Sequence, residues 1–309
     1  MLVSICIPTY NRLDLLIKSL EACIEQSYPN IEICISQDCL KEGGVHEGIK
    51  EYCSIMAEIH SNVNYSSCDT NLGLAGNWKK LVKIAKGEYV IIIGDDDLLD
   101  VDFVQILASK VDRKKYDVLF SNQFFIDESG KVLEELTREN NIKYGRSTLE
   151  EGEIKKPIEL VFNNSIPISA ALIKKKWLEK FTFDETLNTP ELEVFLKIAL
   201  NDGSFYFVNE QLCHYRIHQQ SATSSGLMIH RFVNNLILID VGKGNETFKK
   251  KFLNRLVVVG ANKAIKYGEK QIAWNLIKSK YYPNKRVFMR VVQVILLCLP
   301  IPLIKFISR

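Results

Sequence analysis

Several features that would assign this chain to common protein classes are missing from its 309 residues. The eight cysteines lie at irregular spacings without a C-x-x-C pair, which excludes a zinc ribbon and argues against a disulfide framework. The N-terminus lacks a basic stretch, an apolar run and a cleavage site, so we predict no secretory signal. Together these absences predict a globular cytosolic protein whose cysteines are small buried apolar residues.

Acidic residues are missing from the end of the chain. No Asp or Glu follows Glu269, whereas eight Lys and Arg residues do. Because the whole chain carries a net charge of only +3, the residues before this tail are net acidic. A basic end on an acidic body predicts a local anionic partner, and we expect no nucleic-acid binding.

Apolar runs and helical periodicities alternate along the first third of the chain. The runs predict strands at 2–8, 31–36, 63–66 and 88–93, and helical spacing predicts helices near 13–24, 46–60 and 74–86. This β-α alternation predicts a mostly parallel sheet with helices on both faces. Further along we expect strands near 117–121, 170–174 and 212–217, a helix near 190–200, and mainly helices from 227.

Polar residues follow three of the predicted strands at the point where each strand ends. Ligands of such sheets bind beyond the carboxyl ends of the strands, so these residues are expected to converge. They are Pro8, Thr9, Tyr10 and Arg12 after the first strand, Asp38 after the second, and Asp95, Asp96 and Asp97 after the fourth.

The three adjacent aspartates after Gly94 indicate a metal site. Neighbouring carboxylates repel one another in a dry cleft unless a cation neutralises them. A hard divalent ion, Mn²⁺ or Mg²⁺, takes oxygen ligands and can bridge a diphosphate leaving group. The alternative is that the aspartates cap the helix that follows. Three in a row after an apolar strand favour the metal.

Two further polar segments suit a nucleotide. Asp38 can accept a hydrogen bond from a base, although it could equally form a turn into the next loop. Asn71, Gly73 and Asn77 lie in a turn that opens a helix, where backbone N–H groups suit an anion or a ribose. Small residues also serve as plain turn formers, so the second signal is weak alone.

The ordered combination of these segments resembles the family 2 inverting glycosyltransferases, which have the GT-A fold. The similarity covers about residues 1–220 and is strongest to bacterial enzymes of O-antigen and capsule synthesis. It implies an α/β fold with a mostly parallel central sheet, followed by C-terminal helices. The matching segments are 3–12, Gln37 with Asp38, 71–77 and 87–97.

The resemblance also implies roles for individual residues. Asp96 and Asp97 are the expected metal ligands, with His218 as a further candidate, and Glu191 is the expected general base, with Glu193 in reserve. Alternatively, Glu191 only complements the helix dipole. The expected nucleotide and donor residues are Pro8, Thr9, Tyr10, Arg12, Asp38, Asn71, Gly73, Asn77, Asp95 and Asp96.

The expected reaction moves a sugar from a nucleotide-diphosphate donor, first of all a UDP-sugar, to a saccharide or lipid-linked acceptor. We predict a GT-A catalytic domain over 1–225, with a nucleotide-binding half at about 1–111 and an acceptor half at about 112–225, and a helical region over 226–309. The chain departs from the family pattern at two positions: Gln37 stands where the family usually has an acidic residue, and Gly94 stands where its metal motif often begins with Asp. Two alternative functions remain, a non-catalytic nucleotide-binding scaffold and a sugar nucleotidyltransferase. The first strand is not followed by the Gly-rich phosphate loop and Lys that a nucleotidyltransferase would have.

The segment 286–309 is a candidate membrane-associating tail. Its apolar stretch, 291–304, is too short and too interrupted by prolines for a span, and basic residues flank it. That pattern suits the headgroup layer of an anionic leaflet, with a core helix packed on the catalytic domain as the alternative. We therefore expect a peripheral location on the cytoplasmic face of the inner membrane, near a lipid-linked acceptor.

Overall fold

A computed structural model describes residues 1–111, 116–218 and 228–300. The first part alternates strands and helices, as the sequence predicts. Residues of β1 and β2 are buried along their whole length, because helices cover both faces of the sheet. The elements are β1 (Val3–Thr9), α1 (Leu13–Ile24), β2 (Ile31–Gln37), α2 (Glu47–Ile59), β3 (Val63–Ser67), α3 (Gly73–Ile84) and β4 (Tyr89–Ile92).

The next part mixes short elements with two long strands. The strand predicted at 212–217 is part of β9, which begins seven residues earlier and pairs with β6 along its length. The elements are β5 (Leu98–Leu99), α4 (Phe103–Val111), β6 (Val118–Ile126), α5 (Glu134–Lys143), β7 (Gly152–Glu153), α6 (Pro157–Phe162), β8 (Ala171–Lys174), α7 (Lys175–Lys180), α8 (Glu191–Leu200) and β9 (Phe205–Arg216).

The strands form one sheet in the order β3-β2-β1-β4-β8-β6-β9-β5, and β7 pairs with β9. The first four of these strands are mutually parallel, so their carboxyl ends lie at one edge. Antiparallel pairing enters at β8, which joins β4 to β6. The predicted α/β architecture with a mostly parallel centre is confirmed. Strands β6 and β9 are parallel to each other and run in the same direction as β4, so the carboxyl end of β9 lies at the same polar edge.

The core lies between this sheet and its flanking helices. Ile5, Ile33 and Ile91 on neighbouring strands are fully buried, and Leu16 and Leu20 of α1 pack in the same cluster. Burying each such side chain is worth about 1.5–3 kcal/mol relative to exposure, so the sheet is a rigid base for its loops. Seven of the eight free cysteines are buried, as predicted, and Cys298 is exposed.

The described residues divide into two compact units. Residues 1–185 with 191–218 contain the sheet, and residues 186–190 with 228–300 form a helical unit. The domain boundary predicted at 225 assigns the segment 186–190 to the catalytic domain, whereas the structure groups this segment with the helical unit. This unit contains α9 (Ile229–Leu238), α10 (Glu246–Tyr267), α11 (Lys270–Lys278) and α12 (Val287–Cys298).

Helix α10 ends at Gly268, whose φ of +77° lies in the left-handed region that favours glycine. Over the described ranges, none of the helices has both the length and the apolar character that crossing a bilayer requires.

Candidate active site

A cleft of about 270 Å³ opens at the carboxyl ends of β1 and β2 and is bounded by the start of α3. All the predicted nucleotide residues except Asp96 line it. Lys41 and Leu74 also line it, and the sequence motifs did not point to either. The lining residues are Pro8, Thr9, Tyr10, Arg12, Asp38, Lys41, Asn71, Gly73, Leu74, Asn77 and Asp95.

Asp38 fastens the end of β2 to the start of α3. Its Oδ1 accepts a hydrogen bond from the backbone N–H of Leu72 at 2.8 Å, and its Oδ2 accepts one from Gly73 at 2.9 Å. Oδ1 also accepts the N–H of the next residue, Cys39, at 2.9 Å, whereas the Asx-turn considered as the alternative role would bond the residue after it. A carboxylate oxygen can accept two hydrogen bonds, so Oδ2, in a residue that lines the cleft, keeps one acceptor position.

Two asparagines hold the adjoining loops in place. Asn77 is buried on α3, and its Nδ2 donates to the carbonyl oxygen of Ser36 at 2.9 Å. The Nδ2 of Asn71 donates to the carbonyl oxygen of Cys39. Both side chains therefore fix the position of the backbone that forms the wall of the cleft.

Arg12 joins the first two aspartates of the acidic cluster. Its Nη2 forms an ion pair with Asp95 Oδ1, and its Nη1 lies 2.6 Å from Asp96 Oδ2. Thr9 donates its hydroxyl to Asp95 Oδ2 at 2.7 Å. Burial nevertheless raises the pKa of Asp95 to about 6, because the charged form loses its hydration. The negative charge of Asp96 raises this pKa further, and the contacts with Arg12 and Thr9 offset only part of the increase.

His218 contacts the same oxygen of Asp96 as Arg12 does. Its Nε2 lies 2.7 Å from Asp96 Oδ2 and 3.0 Å from Nη1 of Arg12. Over the described ranges, no group of three or more acidic, histidine or cysteine side chains is arranged to hold a metal. The carboxylate of Asp96 fits Mn²⁺ or Mg²⁺, which take oxygen ligands, and the imidazole of His218 beside it could add a nitrogen ligand while ligand oxygens complete the shell. Asp96 and His218 are therefore the residues that would hold it.

Asp97 points away from this pair. Its Oδ2 accepts the hydroxyl of Ser169 at 2.7 Å and its Oδ1 accepts the backbone N–H of Arg216 at 3.0 Å. Burial and the nearby charge of Asp96 raise the pKa of Asp97 to about 8. The predicted metal ligands Asp96 and His218 are brought together, whereas Asp97 is committed to internal hydrogen bonds.

Arg216 supports the cluster from β9 and was not among the predicted site residues. Its side chain is buried, and its Nε donates to the carbonyl oxygen of Asp96 at 2.8 Å. Its Nη1 donates to the carbonyl oxygens of Asp127 and Glu128. The alternation of His214, Arg216 and His218 in the sequence predicts a cationic or imidazole group that could meet the diphosphate or the metal. In the structure β9 ends at Arg216 and His218 lies just beyond it.

Glu191 opens α8, as predicted, and its Oε2 is buried without a hydrogen-bond partner among the described residues. Burial raises the pKa of this carboxyl to about 7. Glu193 forms an ion pair with Lys197 at 2.7 Å. The hydrogen bonds and ion pairs within the described ranges do not join Glu191 to the cleft, so its role as the base stays a prediction.

Comparisons with known proteins show what this chain is similar to. The family model for glycosyl transferase family 2 matches residues 4–179. An uncharacterized glycosyltransferase of Methanocaldococcus jannaschii is 29% identical over 70% of this chain and 71% of its own. The putative colanic acid biosynthesis glycosyl transferase WcaA of Escherichia coli is 24% identical over 72% of this chain and 76% of its own.

Solved structures show the same fold at low sequence identity. TarS of S. aureus in complex with UDP-GlcNAc has a TM-score of 0.67 and 15% identity, covering all of this chain and 89% of that one. The mannosyltransferase PcManGT of Pyrobaculum calidifontis, in complex with GDP-Man and Mn²⁺, has a TM-score of 0.58 and 13% identity, covering 99% of this chain and 83% of that one.

Gly94 allows the carboxylate of Asp96 to lie where a side chain at position 94 would be. A Cβ at this position would lie 2.4 Å from Oδ1 of Asp96. We expect Gly94→Ala to displace the Asp96 carboxylate, lowering the free energy of unfolding by about 1–3 kcal/mol and weakening Mn²⁺ binding. Chemical denaturation and calorimetric Mn²⁺ titration measure the two effects.

Gly244→Ala is the control for Gly94→Ala, because nothing lies within 4 Å of its added Cβ. Equal stability and equal Mn²⁺ affinity of Gly94→Ala and the wild type would show that the close approach to Asp96 has no consequence.

Proposed function

The chain belongs to glycosyl transferase family 2, and we propose that it transfers a sugar from a nucleoside diphosphate donor to an acceptor hydroxyl with inversion at the anomeric carbon. The observation that carries this proposal is the cleft beside the Arg12, Asp95 and Asp96 cluster. It combines a concave surface for a nucleotide with charged groups that a diphosphate and its cation require.

In the proposed complex the nucleoside lies in the cleft and its diphosphate lies near Arg12. Mn²⁺ or Mg²⁺, held by Asp96 and His218, would neutralise the charge that develops on the leaving diphosphate. The guanidinium of Arg12 supplies further positive charge at the same place. A UDP-sugar is the first donor to test, because TarS, which shares the fold, was solved with UDP-GlcNAc.

Inversion requires a base on the face of the sugar opposite the diphosphate. We assign that role to Glu191, whose Oε2 has no hydrogen-bond partner within the described chain and whose pKa is raised to about 7. Its carboxylate takes the proton of the acceptor hydroxyl, and the hydroxyl oxygen attacks the anomeric carbon. The bond to the diphosphate breaks, and the nucleoside diphosphate leaves with the electron pair.

We propose a saccharide or lipid-linked acceptor in surface-polysaccharide synthesis and a peripheral location on the cytoplasmic face of the inner membrane. The similarity to a putative colanic acid transferase supports the first. The exposed basic residues Lys285 and Arg286 and the absence of acidic residues after Glu269 support the second.

A donor screen tests the transfer reaction. We expect wild-type protein with Mn²⁺ to release nucleoside diphosphate from one class of nucleotide sugar, and Asp96→Asn to lower kcat at least 100-fold, because the variant loses a charged ligand for the cation. Asp69→Asn, at an exposed site, is the matched control.

The three candidate functions give different products in this screen. Release of pyrophosphate from a nucleoside triphosphate and a sugar phosphate would identify a nucleotidyltransferase. Nucleotide binding without release from any donor would identify a scaffold. Full turnover by Asp96→Asn would remove the metal assignment.

Arg12 gives a test of the metal site that does not depend on turnover. Because its Nη1 contacts both Asp96 Oδ2 and His218 Nε2, the guanidinium competes with a cation for the same two atoms. We expect Arg12→Ala to bind Mn²⁺ about tenfold more tightly in the absence of nucleotide, a difference of about 1.4 kcal/mol. Mn²⁺ titration followed by electron paramagnetic resonance measures it.

Arg138→Ala, which removes an exposed ion pair with Glu135, is the control for Arg12→Ala. Unchanged or weaker Mn²⁺ binding by Arg12→Ala would show that the cation does not use Asp96 and His218.

The raised pKa of Glu191 predicts opposite effects on activity and stability. The ordinary pKa of the carboxyl, which applies in the unfolded state, is 4.5, and its pKa in the folded state is about 7. The unfolded state therefore ionises first, and the free energy of unfolding falls as the pH rises from 4.5 to about 7. Glu191→Gln should therefore exceed the wild type in unfolding free energy at pH 8, by on the order of 3 kcal/mol, and match it at pH 4. The same variant should bind donor normally and lose transfer at least 100-fold.

Glu193→Gln is the control for Glu191→Gln, because it removes an ion pair with Lys197 and should gain no stability at pH 8. Thermal unfolding at both pH values and single-turnover transfer separate the two variants. Unchanged transfer by Glu191→Gln would move the base to another residue.

A further inference from the structure

Helix α12 exposes several of its apolar residues and buries a polar one. Val287, Phe288, Val291 and Ile295 are 64%, 81%, 51% and 57% exposed, whereas Gln293 is fully buried. Most helices at a protein surface show the opposite arrangement. The apolar side chains therefore form part of the surface of the helical unit.

Hydrogen bonds determine which face of α12 is turned inward. The Oε1 of Gln293 accepts the hydroxyl of Tyr282 at 2.7 Å, and its Nε2 donates to Asn262 Oδ1 at 2.7 Å and to the carbonyl oxygen of Val258 at 3.3 Å. Val258 and Asn262 belong to α10. Rotating α12 to bury Phe288 would leave the amide of Gln293 and its partners unsatisfied, which disfavours that arrangement.

The C-terminal end of α12 is held in the same orientation. The Nζ of Lys270, at the start of α11, donates to the carbonyl oxygens of Leu297 and Leu299 at 2.9 Å each. Leu297 is buried on the same side as Gln293. The exposed apolar face is therefore a property of the folded helical unit.

The exposed side chains form one continuous stripe. Val287, Val291 and Ile295 follow one another at four-residue spacing, and Phe288 lies beside them. Exposed Cys298 extends the stripe to the last turn. A contiguous apolar surface of this kind marks an interaction site, whereas scattered apolar residues do not.

The charges around this stripe indicate an anionic partner. Lys285 and Arg286 are exposed immediately before α12, and the chain contains no acidic residue after Glu269. An apolar face beside basic side chains matches a helix that lies in the headgroup layer of an anionic bilayer. With 12 residues, α12 is too short to cross a membrane.

We infer that α12 is a membrane-binding helix that inserts Phe288, Val291 and Ile295 among the acyl chains of an anionic lipid surface, while Lys285 and Arg286 contact the headgroups. This inference rests on the peripheral location in the proposed function and names the residues responsible. Of the predicted tail 286–309, residues 301–309 lie outside the described part of the chain, and the inference uses none of them.

Sedimentation of the full-length protein with vesicles tests the inference. We expect the wild type to bind vesicles of phosphatidylglycerol and phosphatidylcholine at least tenfold more tightly than vesicles of phosphatidylcholine alone. Replacing both Phe288 and Val291 by Ser should weaken binding to the anionic vesicles at least tenfold. Leu238→Ser, which changes a 74% exposed residue of α9, should leave binding unchanged.

The charge reversal of Lys285 and Arg286 to Glu tests the electrostatic part separately. It should abolish the preference for anionic vesicles. The inference is wrong if the serine variant binds anionic vesicles as tightly as the wild type, or if the wild type binds neither vesicle. In the second case, a dimer that the serine variant dissociates would identify a second copy as the occupant of the stripe.

Release of nucleoside diphosphate in the absence of vesicles separates this inference from the proposed function. Transfer without vesicle binding would contradict only the membrane inference. Vesicle binding without release from any donor would contradict only the proposed reaction.

Discussion

The contact between Arg12 and two aspartates is the interaction on which the site depends. Asp95 and Asp96 follow one another at the end of a buried strand, where two adjacent negative charges are costly without a counter-charge. Arg12, at the end of the neighbouring strand, supplies that charge through an ion pair to each carboxylate. It thereby links the loops after β1 and β4 and keeps the edge of the sheet compact in the absence of a cation.

The residues that the sequence could identify are those whose position follows from strand ends. Thr9, Arg12, Asp38 and Asp95 converge because parallel strands bring their carboxyl ends to one edge, and the length of each apolar run shows where that edge lies. The fold was predictable from the same apolar runs, because they show where the strands lie. The beginning of β9 could not be predicted, because its early residues lack a clear alternation of apolar and polar side chains and gain their strand structure from pairing with β6.

Contacts between segments distant in the sequence could not be predicted in this way. Asp97 looks equivalent to Asp96 in the sequence, yet Ser169 and Arg216 bind its two oxygens from elsewhere in the fold. The same holds for α12, which lies in the tail predicted at 286–309. Which face turns inward depends on the partners of Gln293 in α10 and on Tyr282, and those appear only in the folded unit.

The two departures from the family pattern have structural causes in this chain. At Gly94 a side chain would collide with the carboxylate of Asp96. At Gln37 the amide is fully buried and is used as both donor and acceptor: its Nε2 donates to the carbonyl oxygen of His46 at 2.9 Å, and its Oε1 accepts the hydroxyl of Tyr65 at 2.6 Å. A carboxylate could not donate to that carbonyl, so Gln37 stabilises the loop and leaves Asp38 alone to face the cleft.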